Sequence, residues 1–363
     1  MTETPDFAPF IQLHFLTFYP PSNPNRDDAG RPKTAVVGGY PRQRISSQAL
    51  KRAWRTSSVF EKTLAGHLAK RTQRIGREVA EHLSGLGIDE TRATAVAREI
   101  AGIFGKVKSD KDKAPLDTEQ LAFISPEERA AALKLAEDRA NGANDAKAET
   151  LANGLLLAKD KAADIAMFGR MLADNPEFNR EAAVAVSHAF TTNRVVVEDD
   201  FYTAVDDLKL PSEDAGAGFI GEAGFGSGVY YLYVVIDRRL LLENLAGDHA
   251  VARQAIAGLI GAASSVGPGG KIKSFANHAR TSYLLAERGG AAPRSLAVAF
   301  VEPVDRREPK PNDLLAASIT ALRDTRQKFV QAYPEEALDS VEMDVPGGHG
   351  MLKDIISFAI EGL

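Results

Sequence analysis

Residues Arg42–Arg55 read RQRISSQALKRAWR. Arg42 to Ile45 form a short extended piece, and a helix begins at Ser46 or Ser47. A serine hydroxyl there accepts a hydrogen bond from the first free backbone N–H groups of the helix. Leu50 and Trp54, four apart, share one face, while Gln48, Lys51, Arg52 and Arg55 lie largely on the other. The apolar face has to dock on a sheet, and the basic face stays in solvent.

The surrounding sequence supplies that sheet. Phe10 to Phe18, FIQLHFLTF, is rich in aromatic and branched side chains and reads as a first strand. Pro20 to Pro32, PPSNPNRDDAGRP, is dense in turn formers and reads as a long loop; Gly38-Gly39 marks another turn. From about Ser58 to Arg170 alanine is abundant and helical periodicity dominates. Val79, Leu83, Leu86, Val96 and Ile100 fall at buried helix positions. Phe104 to Pro115 is a polar loop, and Ser125-Pro126 starts a helix with proline at its first position. Strand patterns return at Arg194 to Val197, Gly228 to Ile236 and Ser295 to Val301. A Gly-rich, hairpin-like excursion lies between the first two. Helices are predicted over His249–Val266, Asn312–Tyr333 and Gly350–Leu363. Strands alternating with helices give an α+β core carrying one helical and one hairpin-like insertion. No internal repeat suggests a solenoid.

The chain has 363 residues and a net charge of −5, a value that speaks against nucleic acid only if charge is evenly spread. It is not. Residues 31–77 hold twelve basic side chains against Glu61 alone, a net +11, which leaves −16 for the remainder. Two readings stand: a face that pairs with the acidic remainder or with solvent, and a face that neutralises phosphates. A solvated face usually mixes signs, so one-signed clustering favours a phosphate-bearing partner. Glu198 to Glu222 holds eight acids and one base, Lys209. Such a segment acts on nucleic acid through shape, by apolar residues such as Phe201, Tyr202, Val205 and Phe219, or else it packs on itself or a neighbouring subunit.

Other chemistries find little support. With no cysteine, thiolate nucleophiles, Cys-based zinc sites and disulfides are excluded, which suits a reducing cytoplasm. The seven histidines contain no helical metal pair, and no cofactor or metal is expected. MTETPDFAPF has no signal-peptide pattern, and no run approaches the ~18 apolar residues of a membrane helix. Gly267-Pro268-Gly269-Gly270-Lys271 fails the nucleotide-hydrolase pattern, because Ile272 follows the lysine. With Lys271, Lys273, Asn277 and Arg280 close by, it reads either as a plain turn or as an RNA-backbone loop. Gly224-Phe225-Gly226-Ser227-Gly228 leads into a strand, so it lacks the helix N-terminus of a dinucleotide loop. Asp27-Asp28 admits a metal-dependent ribonuclease reading, and Arg26 beside it admits plain neutralisation. No Ser-His-Asp arrangement and no convergent polar pocket of a metabolic enzyme can be assigned.

The basic segment, with NRDD (Asn25–Asp28) and Gly38-Gly39 before it, closely resembles the CasC-type backbone subunit of the type I-E CRISPR Cascade complex, a RAMP-superfamily protein. The resemblance continues through ADIAMFGRMLAD (Ala163–Asp174), VSHAFTTNRVVVEDDFYTAVDDL (Val186–Leu208), FGSGVYYLYVVID (Phe225–Asp237) and PGGKIKSFANHAR (Pro268–Arg280). RISSQ-x-LKR is its most specific motif. The lobe from about 85 to 160 carries little of it.

The resemblance implies a modified RRM-like (ferredoxin-like) palm, a helical fingers lobe and a thumb β-hairpin. The corresponding ranges are 1–58, 182–192 and 225–363 for the palm, 59–181 for the fingers and 193–224 for the thumb. It implies a non-catalytic cytoplasmic scaffold that stacks in several copies into a helical filament along CRISPR guide RNA, beside other Cascade subunits. The filament displays bases for pairing with target DNA. The guide grip falls on Arg26, Arg42, Arg44, Ser46, Gln48, Lys51, Arg52, Arg55, Lys271, Lys273 and Asn277. A wedge between bases falls on Met167, Phe201, Thr203 and Val205. Lys106, Lys108, Lys111 and Lys113 either meet target-DNA phosphates or form a solvated loop. The alternative is an RNA-targeting endoribonuclease subunit using Asp27 or Asp28.

Overall fold

The computed structural model describes residues 7–142, 155–172, 174–204, 219–307, 312–336 and 338–363. Its strands, in chain order, are β1 (Phe10–Ser22), β2 (Thr34–Val37), β3 (Tyr40–Ile45), β4 (Lys70–Thr72), β5 (Ala122–Ile124), β6 (Val184–Val186), β7 (Ala189–Thr191), β8 (Glu198–Ala204), β9 (Phe219–Asp237), β10 (Tyr283–Gly289) and β11 (Asp339–Asp344). The main sheet runs β11-β10-β1-β9-β7-β3-β2, with β6 and β8 also paired to β9. Its pairings are antiparallel, so the fold is mixed α+β on an antiparallel sheet.

β1 lies inside this sheet and is covered on both faces, which is why its sequence is so apolar. Ile11, Leu13 and Phe15 join a core with Trp54, Phe60, Ile256 and Ile355, contributed by helices Ser47–Arg55, Ser58–Thr63, His249–Ser265 and Leu352–Ile360. Leu16 joins the opposite core with Tyr231, Tyr283, Phe300 and Leu322. On that second face Glu287 is fully buried, held by Arg294 at 2.9 Å and 3.0 Å, Arg326 at 2.9 Å and His14 at 3.3 Å. Desolvation penalises the buried carboxylate, but His14 and Arg294 outweigh it and hold Glu287 down at about 2. His14 is thus a packed histidine.

Three helices, Ile75–Gly85, Glu90–Phe104 and Pro126–Ala140, pack Val79, Leu83, Val96, Ile100, Ala132 and Ala136 into a separate core. Ser125 and Glu128 form a capping box at the third helix, with Pro126 in its first turn. Glu128 also accepts from Arg170 at 2.6 Å, and both side chains are buried. β4 and β5 make a two-stranded ribbon at the edge of this lobe.

Several sequence expectations need correction. Leu86 is 58% exposed, outside the lobe core. Arg194–Val197 is not a strand; pairing begins at Glu198. Ser295–Val301 contains a 3-10 helix, Ala297–Phe300, and not a strand. Its buried Leu296, Ala299 and Phe300 recur every three to four residues, a helical spacing that its branched composition masked. β1 runs on through Pro20 and Pro21 to Ser22, past a register shift after Tyr19 where the ladder does not require their missing N–H groups. No membrane-crossing helix, long and apolar enough, occurs among the described residues.

Candidate nucleic-acid interface

Helix Ser47–Arg55 starts where the sequence placed it. Ser46 caps it, its Oγ accepting from the Ala49 N–H at 3.3 Å. Asn25 Oδ1 accepts from the Ser46 N–H at 2.9 Å, so the NRDD loop is fastened to the helix start. Leu50 and Trp54 are buried, and Trp54 Nε1 donates to the Val266 carbonyl at 3.2 Å. Arg52 and Arg55 sit in the last turn, where the helix dipole favours cations.

The polar face of this helix opens on a cleft of about 400 Å³. Gln48, Lys51, Arg52 and Arg55 form one wall. Arg71 of β4 and Arg170 add two further basic residues to the lining, although Arg170 is engaged with buried Glu128. Leu121, Phe123, Phe168 and Met171 supply an apolar side. Arg55 lies 4.8 Å over the Phe123 ring and 3.6 Å from Asp164. Burial pushes the Asp164 carboxyl up to about 6, against the Ala69 N–H and Arg55, which favour its charged form.

The +11 segment divides once its partners are seen. Arg31 pairs with Asp199 at 3.0 Å and Glu222 at 3.7 Å, and Arg77 with Asp117 at 2.5 Å. Among the described residues Lys33, Arg44, Lys51, Arg52, Lys62, Lys70, Arg71 and Arg74 have no carboxylate partner within 4 Å. Arg44 is hydrogen-bonded to the Thr34 carbonyl and to His188. Arg26 is exposed on the loop that Pro32 closes.

Arg42 is corrected. It is fully buried, donating to the carbonyls of Thr191 at 2.7 Å and Phe300 at 2.8 Å. It shares a strand face with Arg44, but the 3-10 turn Ala297–Phe300 covers it. Ser46 is largely buried, and its hydroxyl oxygen caps the helix. Met167 is buried in the main core. Its short helix ends at Gly169 (φ 79°), and Met171, four residues on, is 83% exposed in the cleft. A Cβ at Gly169 would also stand 3.0 Å from the Arg180 carbonyl. The glycine turns the chain outward there, so Met171, and not Met167, reaches the cleft.

The Gly-rich loop packs against the NRDD loop, since a Cβ on Gly270 would sit 2.4 Å from the Pro24 carbonyl. Lys271 takes a left-handed backbone (φ 45°) before the short helix Ile272–Phe275, and Lys273 is exposed. Asn277 is 3% exposed, beneath the surface of this loop. Three segments are therefore neighbours: the NRDD loop, the start of the basic helix and the lysine-bearing loop.

Asp27 Oδ1 accepts from the Ala29 and Arg31 N–H groups, holding the turn, while Asp28 is exposed. Among the described residues no group of three His, Asp or Glu side chains suits a metal. On the lobe loop Lys106 is neutralised by Glu119 at 2.8 Å; Lys108, Lys111 and Lys113 have no carboxylate partner among the described residues.

β8 pairs with the start of β9, placing Phe201 opposite Glu222 and Thr203 opposite Ile220. Directly opposed residues share a sheet face, so Phe201, Thr203 and Ile220 stand together. Phe201 and Ile220 are 71% and 67% exposed. Ile220 was missed by the sequence reading, although the alternation along the strand could have found it. Tyr202 turns to the other face, over Gly221. Val205 lies outside the described residues. Asn23 donates to the Gly224 carbonyl at 2.9 Å and, with Arg31, fastens the root of the hairpin.

Residues 11–349 match the model of the family described as CT1975-like protein. The chain belongs to the CT1975-like family. This is the family of type I Cascade backbone subunits, which are generally non-catalytic. A chain of a solved "CRISPR RNA-guided surveillance complex, pre-nicking" superposes with a TM-score of 0.85 at 28% identity, covering 98% of this chain and 100% of that one. A chain of a second "CRISPR RNA-guided surveillance complex" shares the fold, with a TM-score of 0.71, 24% identity and coverage of 98% and 100%. None of the curated proteins compared with the chain matches it.

Proposed function

We propose that this chain is a non-catalytic, multi-copy backbone subunit of a type I-E Cascade effector that binds CRISPR guide RNA. The observation that carries the reading is the cleft beside helix Ser47–Arg55, where Lys51, Arg52 and Arg71 have no carboxylate partner among the described residues. Uncompensated cations on a rigid helix and strand suit phosphates, and neutralising them releases counterions from the RNA. Lys271, Lys273 and Arg26 extend the same grip along the strand. The main sheet with its helices serves as an RRM-like palm, the helical lobe as fingers, and the β8–β9 hairpin as a thumb.

In this reading the hairpin reaches the guide through Phe201, Thr203 and Ile220, and Met171 offers a second apolar surface in the cleft. Apolar side chains that enter a nucleic-acid stack displace bases, while the intervening bases stay free to pair. Pairing between guide and target DNA then carries the sequence specificity, and the protein holds backbone and shape. In the same reading Lys108, Lys111 and Lys113 meet target-DNA phosphates. Copies stack into a helical filament and meet other Cascade subunits in the cytoplasm, in antiviral defence.

The test is to purify the chain from a host that expresses a CRISPR array. RNA of discrete length, carrying the repeat–spacer sequence, should co-purify in particles holding several copies of the chain. Recovery of RNA-free monomer alone from that host would overturn the reading.

A further inference from the structure

Arg44 differs from the other arginines of the basic segment in what holds it. Its Nε donates to the Thr34 carbonyl at 3.1 Å, and a terminal nitrogen lies 3.0 Å from Nδ1 of His188. Guanidinium keeps its protons, so Arg44 is the donor and His188 the acceptor. The imidazole is therefore neutral, with its proton on Nε2. Burial first, then the charges of Arg44 and Lys33, hold His188 below the usual histidine range. The strand register fixes the pair, because Arg44 on β3 faces Phe190 on β7, two residues beyond His188.

Arg31 and Arg77 are held by carboxylates, which fix a guanidinium and cancel its charge together. A neutral imidazole and a carbonyl fix it and leave the charge whole. We propose that His188 is a positioning residue for guide binding, holding the Arg44 guanidinium aimed and uncompensated for a phosphate of the RNA strand. The proposal rests on the reading of Arg44 as a guide contact.

The test measures affinity of the full chain for a fluorescently labelled single-stranded guide RNA, with thermal melting to confirm folding. Arg44→Ala should weaken binding about tenfold and His188→Ala about fivefold, the scale of one charge-assisted hydrogen bond. His188→Asn presents an acceptor near the place of Nδ1 and should stay within about twofold of the wild type. Adding His188→Ala to Arg44→Ala should change nothing further, since the histidine acts only through the arginine. If Arg44→Ala weakens binding but His188→Ala does not, the positioning role is wrong and the guide contact stands. Additive losses in the double variant would also overturn it. If Arg44→Ala binds as the wild type, the guide reading of Arg44 itself fails.

Discussion

On helix Ser47–Arg55, Lys51 and Arg52 meet no carboxylate among the described residues, while on the β8–β9 hairpin Asp199 and Glu222 both reach Arg31. The helix buries Leu50 and Trp54 and turns its charge outward; the hairpin leaves Phe201 and Ile220 exposed. A charge left without a partner and an apolar side chain left without cover are both unfinished interactions. In the proposed function the first is completed by phosphate and the second by an apolar or stacking surface. The two regions therefore divide the proposed work, one gripping the backbone and one acting by shape.

The largest expected effect that separates them comes from the hairpin. Replacing Phe201 and Ile220 together by serine should reduce recovery of multi-copy particles with guide RNA tenfold or more, roughly the scale of losing a binding hot spot. Encounter of the single chain with RNA should be unchanged. If encounter falls equally, the division between grip and shape is broken.

A smaller effect sharpens the cleft side. Asp164 takes up its proton at about 6 in the folded chain, whereas an unfolded aspartate does so near pH ~4. The folded state thus binds the extra proton in that window, and this group makes stability rise as pH falls from about 6 to ~4. Asp164→Asn should stabilise the chain by roughly 1–3 kcal/mol at pH 7 and flatten that part of the profile. Denaturant unfolding at pH 7 and pH 5 measures both, and a destabilised variant at pH 7 would contradict the burial argument.

The smallest effect concerns the join between the regions. Arg31→Glu should loosen the hairpin root by about 0.2–1 kcal/mol, as expected for half-exposed ion pairs. Asp199→Arg in the same chain should restore part of the loss. Hydrogen exchange across Glu198–Phe225 reads this directly, and absence of rescue would remove Arg31 from the anchor.

Much of this was legible in the sequence because local rules governed it. The cap at Ser46, the Leu50–Trp54 stripe, the proline-led helix at Pro126 and the strand of Phe10–Phe18 all follow from neighbours in the chain. The misses came from distant parts of the fold. Arg42 looks as free as Arg44 until a turn about 255 residues later covers it. Met167 and Met171 differ only by the redirection at Gly169. β10 was overlooked because Leu, Ala and Glu favour helices, and its burial beside β1 overrides that preference. The segregated charge was visible, but which cations have partners was not. Pairing of Arg31 and Arg77 and burial of Arg42 needed the fold.

The central claim is that the cations of the cleft are left for phosphates, and a salt titration tests it most directly. Guide-RNA affinity of the full chain should be measured from low to high salt, for the wild type and for Lys51→Ala/Arg52→Ala/Arg71→Ala. The account predicts weaker binding and a shallower dependence on salt. The slope of log K against log salt should fall by about 0.7 for each phosphate that the variant no longer neutralises. An unchanged affinity and slope would contradict it.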